Sequence, residues 1–150
     1  MNGYARFGAM IATSTIVMFG LMYLNTYEPG HVSFSETRAY MALVMGATMA
    51  IIMLSFMLKM HANRRANLGI FLGAAVIFSL ALWLVRSQAT VDDVSYMKAM
   101  IPHHSIAILT SERARIADPR VRRLADEILE AQREEILEMK ALIEDLEDER

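Results

Sequence analysis

Charged and apolar positions divide this chain into two regimes. Residues 7–24, 39–58 and 68–85 contain no Asp, Glu, Lys or Arg. Each run holds 18–20 residues, enough at about 1.5 Å of helical rise per residue to cross ~30 Å of hydrocarbon. The pattern predicts three transmembrane helices at about 7–24, 39–58 and 68–85. The first run lacks the marks of a cleaved leader. Only Arg6 precedes it, Tyr23-Leu24-Asn25-Thr26 offers no small-x-small cleavage site, and two further spans follow.

Beyond Arg86 the pattern turns amphipathic. Thr90 with Asp93 three residues on reads as a helix start, close to a capping box, and predicts a helix from about Val91 to Ala117. Asp118-Pro119 is the next start signal, Asp as N-cap and Pro in the first turn. The second helix is expected to run to about Leu146. Its apolar positions Val121, Ala125, Ile128, Ile136, Met139 and Ile143 recur at helical spacing. The short connection makes the pair an antiparallel hairpin. One shared seam seldom holds two helices alone, so two hairpins from two chains are expected to complete a four-helix bundle. The acidic end, Glu144 to Arg150, is expected to fray. The fold class is thus all-α, with a membrane region at 1–86 and a helical hairpin domain at 87–150.

Composition sharpens this division. Hydrophobic residues make up 55% of the chain and mean hydropathy is +0.30. The net charge of −2 conceals an asymmetry: residues 87–150 carry nine Lys/Arg against fifteen Asp/Glu. A nucleic-acid partner would need a basic face, which is lacking. Cysteine is absent, which excludes disulfides, thiolate metal sites and cysteine nucleophiles. Arg6, Lys59, Arg64 and Arg65 lie on one side of the predicted spans, Arg38 and Arg86 on the other. The positive-inside rule places the N-terminus and the 59–67 loop in the cytoplasm. The 25–38 loop and the hairpin then face outside, the periplasm for a bacterial inner membrane.

The chemistry-bearing segment is Met97-Lys98-Ala99-Met100-Ile101-Pro102-His103-His104. At about 100° per residue, Met97, Met100 and His104 share one helix face, with His103 on its flank. Pro102 removes a backbone hydrogen bond and should kink the helix. Folding the hairpin about residue 118 sets Gln132 opposite His104, Ile136 opposite Met100 and Met139 opposite Met97. Gln132, Glu135, Ile136 and Met139 form one stripe. Two imidazoles and three thioethers therefore converge on one seam, a soft donor set suited to Cu(I) or Ag(I) and poorly suited to Mg or Ca. Thioethers need no deprotonation and form no disulfides. The plain alternative is that these methionines fill gaps in a core and the histidines are surface or capping groups.

The block Met97 to Ile108, continued by Asp118-Pro119, Leu124-Ala125, Ile128, Gln132, Glu135-Ile136 and Met139, resembles the signature of the domain of unknown function 305 family over about residues 90–145. The resemblance implies a ferritin-like helical domain, often secreted or membrane-tethered, associated with copper or silver. Carried over by position, the ligands it implies are Met97, Met100, His103, His104 and Met139. Where the family often has a further Met, this chain has Thr110.

Five methionines, Met41, Met45, Met49, Met53 and Met57, recur every fourth residue in the second span. Such rows are the ridges by which helices pack. They could also form a thioether ladder passing Cu(I) across the membrane, although the row drifts by about 160° around a straight helix. Met53-x-x-x-Met57 followed by Gly69-x-x-x-Gly73 is similar to the signature of the eukaryotic copper transporter family, three-span proteins of the opposite predicted orientation. His31, near Glu28 and Glu36, is expected to be solvated. No nucleophile-with-base arrangement or Glu-x-x-His pair marks an enzyme.

Three functions follow in order of preference. The first is a membrane-anchored copper- or silver-binding protein, a homo-oligomer exchanging metal with a donor or acceptor protein. The second is a Cu(I) transporter, and the third a metal-free membrane assembly protein.

Overall fold

The computed structural model describes residues 3–149. It is all-helical: α1 (Gly3–Leu21), α2 (Glu36–Met57), α3 (Arg64–Ser87), α4 (Asp93–Arg113) and α5 (Pro119–Asp148), with short 3-10 turns at Pro29–His31 and Leu58–Met60. α1, α3 and the stretch Glu36–Met60 are each long and apolar enough to cross a membrane. The first span ends three residues earlier than the charge-free run suggested. Thr26 donates to the Tyr23 carbonyl through both its amide and its hydroxyl, closing a turn there. The chain forms two compact units: Met1–Met22 with Thr37–Thr90, and Tyr23–Glu36 with Val91–Arg150.

In the first unit, Phe7, Ala47, Ala50, Leu54 and Ala74 bring the three spans together in one core. The buried residues of α2 are Ala42, Gly46, Ala47, Ala50 and Leu54; four of them, all but Ala47, form a row of mostly small residues at four-residue spacing that lets backbones approach. The methionine row lies one residue to its side, and all five of its members are half-buried. The close approach falls at Gly46, where a Cβ would land on the Thr15 side chain. Gly69 and Gly73, by contrast, have open space where a Cβ would sit, so the Gly-x-x-x-Gly pair is not a packing contact among the described residues. Thr15 cannot easily turn aside, because its hydroxyl donates to the Ile11 carbonyl at 2.8 Å. Gly46→Ala should therefore destabilise this unit by about 1–3 kcal/mol. Thr15→Ala in the same chain should restore most of the loss. Thermal unfolding of the two variants in detergent checks this, and an unaffected Gly46→Ala protein would refute it.

In the second unit, α4 and α5 form the expected hairpin. The N-cap of α4 is Asp92, not Thr90: its carboxylate accepts from the Ser95 amide at 2.7 Å, while the Thr90 hydroxyl meets Tyr40. A carboxylate satisfies the first-turn donors and also complements the helix dipole. α4 ends at Arg113, four residues before the expected Ala117. Arg122, from the first turn of α5, reaches back to the Ser111 carbonyl at 2.8 Å and satisfies one of the terminal acceptors. Asp118 caps α5 as expected, accepting from the Arg120 amide. α5 does not fray at Glu144: it remains helical through Asp148, and Lys98 holds Glu147 at 2.5 Å. Arg150 lies outside the described residues.

The loop between α1 and α2 belongs to this second unit. His31, expected to be solvated, is 8% exposed. Its Nδ1 lies 3.0 Å from the Ser105 hydroxyl, and its Nε2 lies 3.7 Å from Glu28.

Candidate soft-metal site

The site grows from the consequences of Pro102. Proline has no N–H, so the carbonyl of Lys98 four residues back loses its helical partner. α4 nevertheless runs through Pro102, because the Ser33 hydroxyl donates to the Lys98 carbonyl at 2.5 Å. Three residues further on, the fully buried Ser105 hydroxyl accepts from the Tyr27 amide at 2.7 Å. The Pro and Ser flanking the His-His pair thus dock the 27–33 segment on one side of α4, behind Ile101 and Ile108. These two residues form the hairpin core with Ile136.

On another side of the hairpin, Met97, His104 and Met139 line one cavity of about 570 Å³, together with Glu135. Met97 is buried at 7% exposure, and Met139 packs half-buried against the isoleucine core. His104 is half-buried. The hairpin register differs from the sequence expectation here: the residue facing His104 is Glu135, one turn beyond Gln132. His104 Nδ1 lies 3.0 Å from Glu135 Oε2, but the alignment is too poor for a hydrogen bond, and Nδ1 has no hydrogen-bond partner among the described residues. Gln132 donates to the same Glu135 oxygen at 3.0 Å and so orients the carboxylate.

Burial lowers the pKa of His104, and the nearby His103 adds to the effect, while Glu135 opposes it. The ring therefore stays neutral, and competent as a ligand, below the pH at which free imidazole protonates. The other two candidates stand apart. Met100 is half-buried and His103 exposed, and neither lines the cavity, although the two imidazole rings are 6.2 Å apart. Glu135 was visible in the sequence stripe but not as a site residue, because facing pairs depend on a register that periodicity leaves open by a turn.

The donors present fit a soft metal. Two thioethers and an imidazole nitrogen without a hydrogen-bond partner line one cavity, and Asp93, Glu138 and Asp145 line it as well as the Glu135 that Gln132 orients. Among the described residues, no three His, Asp or Glu side chains converge as a harder cation would need.

Comparison with known proteins agrees with this placement of the motif. The family described as Domain of unknown function (DUF305) matches residues 93–150, the span of α4 and α5. An "Uncharacterized protein L153" of Acanthamoeba polyphaga mimivirus is 33% identical over 144 residues, 91% of this chain and 93% of that protein. The likeness therefore reaches into the membrane unit as well as the hairpin. No solved structure matches this chain. With its hairpin carrying the family match and a relative similar over nearly its whole length, the chain belongs to the DUF305 family.

Proposed function

We propose that this is a membrane-anchored protein that captures Cu(I) or Ag(I) in the α4–α5 hairpin, for metal tolerance or delivery. One observation carries the reading: Met97, Met139 and His104 line the same cavity, with His104 Nδ1 lacking a hydrogen-bond partner. A bound soft cation would be held by these three, with Glu135 supplying compensating charge beside it. Met100 and His103, on the neighbouring surface of α4, are placed to hand metal in or out from a donor or acceptor protein. Elemental analysis of the purified full-length protein after exposure to Cu(I), Ag(I) and Zn(II) tests the proposal. Retention of the first two supports it, and retention of none, or of zinc alone, overturns it.

The anchor is oriented with its N-terminus in the cytoplasm, on the strength of Arg6, Lys59, Arg64 and Arg65 against Arg38 and Arg86. In a bacterial inner membrane this puts the hairpin in the periplasm, where thioethers outlast thiols as copper ligands. A reporter active only in the cytoplasm, fused after Arg150, should be silent; strong activity would reverse the topology.

The functional unit is a homo-oligomer. Val121, Leu124, Ile128 and Leu142 of α5 are exposed and fall within about 60° of one another around the helix, an apolar surface that one hairpin leaves uncovered. Sedimentation of the detergent-solubilised protein should give a dimer or larger. A monomer of full helicity would sink the bundle.

A further inference from the structure

A second cluster of soft donors lies in the membrane unit, where α1 begins and α2 ends. We propose that His61, with Met10, Met57 and Met60, forms a separate site for a monovalent soft cation, Cu(I) or Ag(I). It shares no residue with the hairpin site and does not depend on it.

The carrying observation is the state of His61. The residue is 5% exposed, yet its Nε2 has no hydrogen-bond partner among the described residues. Its Nδ1 lies 3.1 Å from the Met57 carbonyl. A carbonyl can only accept, so Nδ1 carries a proton, which leaves Nε2 as the ring nitrogen able to offer a lone pair. Histidines that bind metals usually hold their other ring nitrogen in this way, because the bond fixes both tautomer and ring plane.

Two aromatic rings pack against the imidazole. Tyr4 packs edge-on against it with centroids 4.7 Å apart, and Phe7 does so at 5.8 Å. Asn67 donates to the His61 carbonyl at 2.8 Å, and Tyr4 donates in turn to Asn67 Oδ1 at 2.9 Å. The turn carrying the histidine is thereby tied to both α1 and α3.

His61, Met10, Met57 and Met60 line one cavity of about 380 Å³. The bare Nε2 looks toward the start of α1, where a Cβ on Gly3 would sit 3.7 Å from it. A buried acceptor without a donor is costly unless something binds it. Water could supply a donor and accept from Arg6, but the thioethers lining the cavity offer its second proton no strong acceptor. A soft cation takes up both the lone pair and the sulfurs.

No carboxylate lines the cavity, and Arg6 does. A divalent hard ion would find neither oxygen donors nor compensating charge there, so the set selects a monovalent ion. Met57 is also the last member of the α2 methionine row, so the site sits at one end of that row.

The test uses the full-length protein in detergent, labelled at the methionine methyls and the histidine ring nitrogens, and titrated with silver nitrate in chloride-free buffer. The methyl signals of Met10, Met57 and Met60 should shift together with the His61 Nε2 signal. In His61→Gln, the silver affinity read from those three methyls should fall at least tenfold, while Met97 and Met139 respond as before. Met57→Leu/Met60→Leu conserves volume and serves as the second variant; the His61 Nε2 response should weaken by a similar factor. Unmoved Met10, Met57 and Met60 signals at silver excess would overturn the proposal, even if Met97 and Met139 shift. Equal methyl shifts with and without His61 would overturn it too, as adventitious thioether binding.

Discussion

Replacing Met97 and Met139 together with Leu should lower the Cu(I) affinity of the hairpin by about a hundredfold, roughly 2.7 kcal/mol. The expectation rests on chemistry more than shape. Leu and Met are close in volume, so each swap should cost less than about 1.5 kcal/mol of stability while removing a sulfur from the cavity. His104→Ala should weaken binding to a similar extent and also abolish most of its pH dependence. In the wild type, proton and metal compete for the imidazole. Burial holds the pKa of His104 below its ordinary value, so affinity should persist down to about pH 6.5 and fall as pH drops through that lowered value. The thioether share survives acid. Competition against a Cu(I) chelator at pH 7.5 and 5.5 measures both effects. Equal binding by wild type and all variants at both pH values would place copper elsewhere, and negligible uptake by the wild type would leave the methionines as core packing.

Ser105→Ala should destabilise the second unit by about 1–3 kcal/mol, because one part-buried and one buried polar group then lose their partner. These are the Tyr27 amide at 2.7 Å and His31 Nδ1 at 3.0 Å. The Tyr27 amide should exchange with solvent far faster in the variant. Exchange as slow as in wild type would show that the 27–33 segment docks without Ser105.

The same contacts set a pH dependence. Burial lowers the pKa of His31, Lys140 lowers it further, and Glu28 opposes both. For His31, as for His104, the unfolded chain then takes up its proton at a higher pH than the folded one. This contribution to stability is complete above about pH 6.5 and is lost as pH falls through the folded values. Unfolding at pH 7.5 and 5.5 should show the loss, with a smaller difference in His31→Gln.

The sequence by itself determined the elements. Three charge-free runs long enough to span a membrane, and two amphipathic stretches separated by Asp118-Pro119, were legible because helical periodicity and caps are local properties. So was the sharing of one helix face by Met97 and His104. Tertiary structure decided what depends on pairing distant segments. A periodicity repeats every turn, so it could not distinguish Glu135 from Gln132 as the residue facing His104. It could not show that the carbonyl freed by Pro102 finds Ser33, 65 residues away, or that His31 is drawn under cover by Ser105. Nor could it place the buried seam of α2 on Gly46 rather than on the methionine row. Burial follows from which neighbour arrives, and a row of thioethers packs equally well at the centre or the flank of an interface. The bare nitrogen of His61 has the same origin: which ring nitrogen is left free depends on a carbonyl reached only when α2 has closed its last turn.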